Sequence, residues 1–316
     1  MKPLILLTGK NGQVGAELLR LLPQLGEVVA LGHDQLDLSN VSDIRRTIQE
    51  VRPQLIVNAA AYTAVDQAEA DETTARAVNA EAPGIIAEEA KKIGAALIHY
   101  STDYVFDGTK KTPYDESDST NPINAYGKTK LAGEQAIRGS GAPHLIFRTA
   151  WVYATRGRNF LLAILRLATE REELKIVSDQ VGAPTCASDV AAATSRILAG
   201  ISGRNHGQFV LSDFSGIYHM SAAGQATWYD FAKAILDKAG TSSQDLGWLT
   251  AATGGRALAT HCIIPITTNE FLTPAARPLY SVLSNSRLML TFGVQMQHWR
   301  TQLHHAFAGE SNGQEK

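Results

Sequence analysis

Short continuous apolar runs alternate with longer amphipathic stretches through the first half of the chain. The runs are Leu4 to Leu7, Val28 to Leu31, Leu55 to Val57, Leu97 to Tyr100 and Leu145 to Phe147. None has the in-out alternation of a half-solvated strand, so each reads as a parallel strand covered on both faces. Between the first two, Val14, Leu18, Leu21, Leu22 and Leu25 form one apolar stripe at helical spacing, and Ile44, Ile48 and Val51 repeat it before Pro53. The rhythm predicts an α/β fold, a doubly wound parallel sheet of five buried strands built from residues 1–150.

After about residue 150 the alternation loosens. Residues 201–224 are rich in Gly and Ser with only short apolar runs, which predicts a loop insertion around one or two strands. A helix over Tyr229 to Ala239 follows, with Phe231, Ile235 and Leu236 on one face, then a Thr/Gly-rich stretch to about 261 and the Pro-punctuated segment Ile263 to Pro278. Residues 151–316 are therefore expected to form a smaller, mainly substrate-binding domain, some of whose segments return to the core of the first. The tail Gly309 to Lys316 is polar and Gly-containing and is expected to be unstructured.

Composition narrows the class. The 316 residues are 44% hydrophobic, enough for a large core, and 29 Lys plus Arg against 31 Asp plus Glu lack the basic excess of a nucleic-acid binder. Two cysteines, Cys186 and Cys262, make no disulfide framework, and no Cys/His set has zinc-ligand spacing. The apolar run near the N-terminus is too short for a signal-peptide core or a membrane span, so a cytoplasmic protein without membrane contact is expected.

The candidate chemistry begins between the first run and the first helix, at Thr8-Gly9-Lys10-Asn11-Gly12-Gln13-Val14-Gly15. Glycines there allow a sharp turn and close approach of backbone to a pyrophosphate, which a helix N-terminus favours, as in the Rossmann fold. The position just after the second strand is Gly32, where an NAD enzyme would carry a carboxylate for the ribose hydroxyls; Lys10 and His33 are instead neighbours suited to a 2′-phosphate. NADPH is thus favoured, with NADH open. Asp37 can bond the adenine amino group while Leu38 packs the ring, although Asp37 serves equally as a turn carboxylate.

Ligands in an open parallel sheet lie beyond the carboxyl ends of its strands, where three segments should converge: Asn58 to Thr63, Ser101 to Tyr104, and Tyr126 to Lys130. Tyr126 and Lys130, four apart, share a helix face. An adjacent ammonium stabilises a phenolate, and a downward shift of ~3 units, or ~4 kcal/mol, would let Tyr126 exchange a proton with a substrate oxygen near neutral pH. Lys130 would also hold the nicotinamide ribose, and the Thr102 hydroxyl would orient the reacting oxygen.

Taken together, Gly9, Gly12 and Gly15, Asn58-Ala59-Ala60, Thr102, and Tyr126 with Lys130 resemble the extended short-chain dehydrogenase/reductase family. The strings from Val57 to Asp66, Tyr100 to Phe106, Tyr126 to Glu134, Arg148 to Tyr153, Asp179 to Thr185 and Ala276 to Pro278 are similar to the branch acting on dTDP-linked 4-ketosugars. The resemblance implies reduction of the C4 ketone of dTDP-4-dehydro-L-rhamnose to dTDP-L-rhamnose by NAD(P)H, with Tyr126 protonating the new alkoxide. It further implies that Ala60, Ala61, Tyr62, Thr63 and Tyr100 touch the cofactor, that Thr102 and Asp103 contact the sugar, and that Trp151 packs over it. Trp151 reads alternatively as interdomain core. Arg277 would pair with the nucleotide diphosphate, or stand as an exposed helix-flanking cation.

Some members of the family bind Mg²⁺ between subunits through glutamates. Glu17 matches one such position, but Ser188 stands where a second is expected, so no metal is assigned and any homodimer would lack metal bridging. Two alternatives remain at this stage: a nucleotide-sugar epimerase or dehydratase of the same fold, and a non-catalytic NADP-binding regulatory subunit.

Overall fold

The computed structural model describes residues 2–241 and 246–308; the tail Gly309 to Lys316 lies outside the described residues. Each apolar run of the first half forms a strand: β1 (Leu4–Thr8), β2 (Glu27–Leu31), β3 (Leu55–Asn58), β4 (Ala96–Thr102) and β5 (His144–Thr149). Every residue of β3, β4 and β5 is buried, as strands with helices on both faces require. The sheet has a sixth strand, β6 (Gly216–His219), and the order is β6-β5-β4-β3-β1-β2, all parallel.

The helices of this sheet are α1 (Gln13–Leu21), α2 (Val41–Val51), α3 (Ala82–Ile93), α4 (Ala125–Ser140) and α5 (Ala187–Arg204). On one face α1 and α5 pack Leu18, Val190, Ile197 and Leu198 against Ile5, Val57 and Ile98. On the other, α2, α3 and α4 pack Ile44, Ile48, Ile86 and Ile137 against Leu6, Ile56 and Leu97. Asn40 caps α2 by accepting from the Ser42 and Asp43 amides, and the helix stops at left-handed Arg52, before Pro53.

The expectation of a loop insertion around one or two strands over residues 201–224 is corrected at its start, where a helix continues, and met further on by a strand. Residues up to Arg204 continue α5, and Ile217 and Tyr218 are core residues of the sixth strand. Gly200 and Gly203 mask the helix in the sequence, yet both face open space, where a missing side chain costs only propensity.

A second cluster gathers helices 160–170, 228–241 and 299–308 around Leu161, Leu165, Phe231, Ile235, Trp299 and Leu303. Strand Glu173–Val177 pairs in parallel with Cys262–Ile266 at its edge. The Thr/Gly-rich stretch opens with a helix, Gly247–Thr253, ended by left-handed Gly254. Among the described residues no helix is long and apolar enough to cross a membrane.

Candidate active site

The loop from β1 to α1 is shaped by contacts that leave no room for side chains. Gly9 has φ +74°, and a Cβ on it would lie 2.6 Å from the Ala60 nitrogen. A Cβ on Gly15 would lie 2.1 Å from the Gly9 carbonyl oxygen. The Gly12 amide donates to that same oxygen at 2.9 Å, and Gly12, as N-cap of α1, offers no capping side chain to the first-turn amides. The loop therefore presents bare backbone donors at a helix start, the arrangement that binds a phosphate.

From this loop a cavity of about 800 Å³ runs along the carboxyl ends of the strands. Asn11, Gln13, Val14, Asp37, Leu38, Ala60, Ala61 and Thr63 line one end, and Tyr100, Thr102, Asp103, Tyr126, Lys130 and Trp151 the other. Strand order reverses between β1 and β3, so the cavity sits in the crevice where such folds hold ligands.

Four residues singled out from the sequence do not line it. Lys10 is held by the Gln35 amide oxygen, which also accepts from the Gly32 amide. Gly15 acts by letting α1 approach the loop. Tyr62 exchanges its backbone groups with Asn79, which accepts from its amide at 2.9 Å and donates to its carbonyl at 3.0 Å. Asn79 lies in a π-helical turn over Ala77–Glu81 between helix 72–76 and α3, and it orders the chain leaving β3. Arg277 is bound to Asp66 at 2.8 Å and to the Thr273 hydroxyl and Ala275 carbonyl.

Asp37 does what a turn carboxylate does: Oδ1 accepts from the Ser39 amide and hydroxyl, both at 2.8 Å, and the Ser39 amide holds its pKa below the usual range. It also lines the cavity, so both readings of it survive. Tyr100 enters through its backbone, because its phenol turns away to Thr194 at 2.7 Å.

The catalytic candidates converge. Asn124 caps α4 by accepting from the Gly127 amide at 2.8 Å, and its own amide reaches the Ala276 carbonyl at 2.7 Å. A Cβ on Gly127 would lie 2.2 Å from the Tyr104 carbonyl, so the first turn of α4 sits hard against the segment after β4. That contact brings Tyr126 to Thr102. The Thr102 hydroxyl lies close to the Tyr126 phenol, donates to Asp103 Oδ1 at 3.0 Å and accepts from the Tyr104 amide at 3.1 Å.

Lys130 is buried, and its Nζ donates to the Tyr100 carbonyl at 2.6 Å and lies 3.2 Å from His99 Nε2. The acidified phenol expected from the sequence is not what these surroundings produce. Burial pushes Tyr126 up to about 12; Thr102 opposes the shift and the Asp103 charge adds to it. Burial also draws Lys130 down to about 8, while Glu134 pulls it upward, and it pushes Asp103 up to about 7. Desolvation outweighs the pairing because the Lys130 amine is turned to the Tyr100 carbonyl and His99.

Trp151 stands at the cavity wall with φ +46°, a conformation bulky residues rarely adopt. Its ring stacks on Trp228, centroids 3.5 Å apart and planes within 4°, and a Cβ on Gly182 would strike it at 2.4 Å. Trp151 is thus both packed side chain and cavity wall. Among the lining residues that escaped the sequence reading are Trp228, Arg156 and Arg158. The Arg-Gly-Arg triplet after the strand pair 152–153 was a usable signal, since two cations beside a phosphate loop suit a diphosphate; Trp228 had none, because its stack joins residues 77 positions apart. Asn159 donates to Gln13 at 2.9 Å, which ties the arginine loop to the start of α1.

Comparison with known proteins agrees over nearly the whole chain. The model of the RmlD substrate binding domain family matches residues 1–311. The chain is 49% identical to the dTDP-4-dehydrorhamnose reductase of Burkholderia thailandensis, covering 94% of this chain and 95% of that protein. It is 41% identical to that of Escherichia coli strain K12, with 94% of each covered. Among solved structures, the dTDP-4-dehydrorhamnose reductase from Bacillus anthracis in complex with NADP superposes with a TM-score of 0.84 at 34% identity, covering 98% of this chain and 100% of that one.

Proposed function

The chain belongs to the RmlD substrate binding domain family, that of the dTDP-4-dehydrorhamnose reductases, and from that premise we infer that it reduces the C4 ketone of dTDP-4-dehydro-L-rhamnose to dTDP-L-rhamnose with NADPH. The observation that carries the site assignment is the convergence of Thr102 from the end of β4 with Tyr126 and Lys130 from α4, in one cavity with the glycine loop.

The residues present suit the cofactor. Gly9, Gly12 and Gly15 make a cradle that Cβ atoms would fill, and a Cβ at Gly32 would lie 2.6 Å from Asp34 Oδ1 and 2.7 Å from Asn11 Nδ2. No ribose-binding carboxylate can therefore grow from the end of β2, which favours the 2′-phosphorylated form. The loop would hold the pyrophosphate with Arg156 and Arg158 as counter-charge, Asp37 and Leu38 the adenine end, and Ala60, Ala61 and Thr63 the middle. NADPH, when bound, supplies the hydride to the ketone carbon.

This chain's own part is to orient the ketone and deliver a proton. Thr102 and Tyr126 present two hydroxyls to the ketone oxygen, and Tyr126 Oη gives up its proton as that oxygen gains charge. Lys130 supports the phenolate left behind and would hold the nicotinamide ribose. A phenol of high resting pKa keeps its proton at neutral pH, as an acid must. Asp103 bonds the sugar, Trp151 with Trp228 forms an apolar wall for its methyl face, and Arg277, outside the cavity lining, would meet the diphosphate only on leaving Asp66. Residues 1–150 serve mainly the cofactor and 151–316 mainly the substrate. The protein is cytoplasmic, and any homodimer forms without a metal bridge.

NADPH consumption with synthetic dTDP-4-dehydro-L-rhamnose tests the reaction. Stoichiometric oxidation is expected; product without net oxidation would mean an epimerase or dehydratase, and neither would mean a binding subunit. Tyr126→Phe should lower kcat by ~10²- to 10⁴-fold with NADPH affinity retained, and unchanged turnover would remove the proposed acid.

A further inference from the structure

A chain of buried polar side chains crosses three strands and ends at Lys130. Thr8 on β1, Asn58 on β3 and His99 on β4 are register partners in adjacent strands. The Thr8 hydroxyl donates to Asn58 Oδ1 at 2.7 Å, and the Ala60 amide donates to the same oxygen at 3.3 Å. Those two donors orient the amide, so that Asn58 Nδ2 faces His99 Nδ1 at 3.2 Å. An amide nitrogen only donates. His99 Nδ1 must then accept, and the ring proton sits on Nε2, 3.2 Å from Lys130 Nζ. That proton and an ammonium would be two donors face to face. The chain is self-consistent in two states only. In one, Lys130 is a neutral amine accepting from Nε2–H. In the other, Lys130 is an ammonium donating to Nε2, the ring proton is on Nδ1, and the Asn58 amide is turned over, giving up the Ala60 bond.

Building on the roles assigned above to Tyr126 and Lys130, we propose that His99 is a positioning residue whose tautomer, coupled to the Asn58 amide, sets whether Lys130 stands as an ammonium behind the catalytic phenol. The ring is fully buried, and burial together with the Lys130 charge holds it well below the usual histidine range, so it responds by moving a proton between its nitrogens and stays neutral. The other groups acting on Lys130 are Glu134 on its own helix α4 and the Tyr100 carbonyl on β4, and Arg148 on β5 neutralises Glu134; Tyr126 shares the α4 face one turn before it. Of these, only His99 both touches Nζ and can change from donor to acceptor.

The test is nitrogen NMR of the full-length enzyme with and without saturating NADPH, its histidine rings ¹⁵N-labelled and the His99 signals assigned by their loss in His99→Gln. From neutral to alkaline pH the ring should pass from Nδ1–H to Nε2–H, with the midpoint at the alkaline fall of kcat, and the passage should vanish in Lys130→Met. An unchanging tautomer in the wild type, or one that still changes in Lys130→Met, would overturn the proposal. In kinetics, His99→Leu, which cannot accept, should move the alkaline limb down by about one pH unit, a tenfold change in the proton constant, whereas His99→Gln, which can, should restore it. Asn58→Asp, which holds the ring as Nδ1–H, should move the limb up. Limbs that stay fixed in all three variants, with only kcat reduced, would leave His99 a merely structural residue. The catalytic roles of Tyr126 and Lys130 are judged separately by their own turnover, since the NMR signal needs none.

Discussion

Glu134→Gln should destabilise the protein more than any other single charge-neutralising change near the site. Glu134 on α4 and Arg148 on β5 form a bidentate pair, Oε1 accepting from Nε at 2.9 Å and Oε2 from Nη2 at 2.7 Å, with side chains only 1% and 3% exposed. Oε1 also accepts from the Ser101 hydroxyl at 2.5 Å, one residue before Thr102, and the guanidinium lies 5.2 Å from the centre of the Phe106 ring. Removing one charge from such a pair leaves the other buried without compensation, a loss of ~3–5 kcal/mol. Replacing both partners with apolar residues of similar size removes the desolvation penalty along with the attraction, so Glu134→Leu combined with Arg148→Met should fall within ~1–2 kcal/mol of wild type. Urea unfolding followed by tryptophan fluorescence measures both, read as midpoint shifts at constant m. A single substitution costing under ~1 kcal/mol, or a double one as costly as the two singles added, would refute the claim that the pair acts as one buried unit.

Three further outcomes follow from the same geometry. Gly182→Ala drives a methyl group into the Trp151 ring and must disturb its stack with Trp228; we expect a destabilisation of ~1–3 kcal/mol and a higher KM for the ketosugar, with the Kd for NADPH unmoved, and an unaltered KM would show that the stack does not shape the sugar site. Burial lowers His219 to about 3, so between about 3 and its unfolded value of 6.5 the unfolded chain binds a proton the native one lacks; stability should decline as pH falls through that window, by up to ~1.4 kcal/mol per pH unit, and the slope should flatten in His219→Gln. The same slope in both proteins would mean that His219 is not the group responsible. NADPH should bind more tightly than NADH in a fluorescence titration, and equal or reversed affinities would contradict the steric argument at Gly32.

Much of the molecule was written in short-range pattern. Continuous apolar runs named five strands, the i, i+4 spacing placed Tyr126 and Lys130 on one helix face, and three glycines between strand and helix announced a phosphate loop, because period and turn chemistry are properties of neighbouring residues. What depends on residues meeting across the fold was decided by tertiary structure alone. A strand within residues 201–224 was legible, but its place as the sixth of the sheet, between short Gly- and Ser-containing flanks, comes from the edge that β5 offers. Arg277 turns to Asp66, 211 positions away, and Trp151 takes a strained backbone because Trp228 and Gly182 give its ring one place to lie. The phenol–ammonium pair is the sharpest case. Its spacing is local, but its ionisation belongs to the surroundings, where burial and the competing claims of Tyr100 and His99 on the Lys130 amine outweigh one helical turn of proximity.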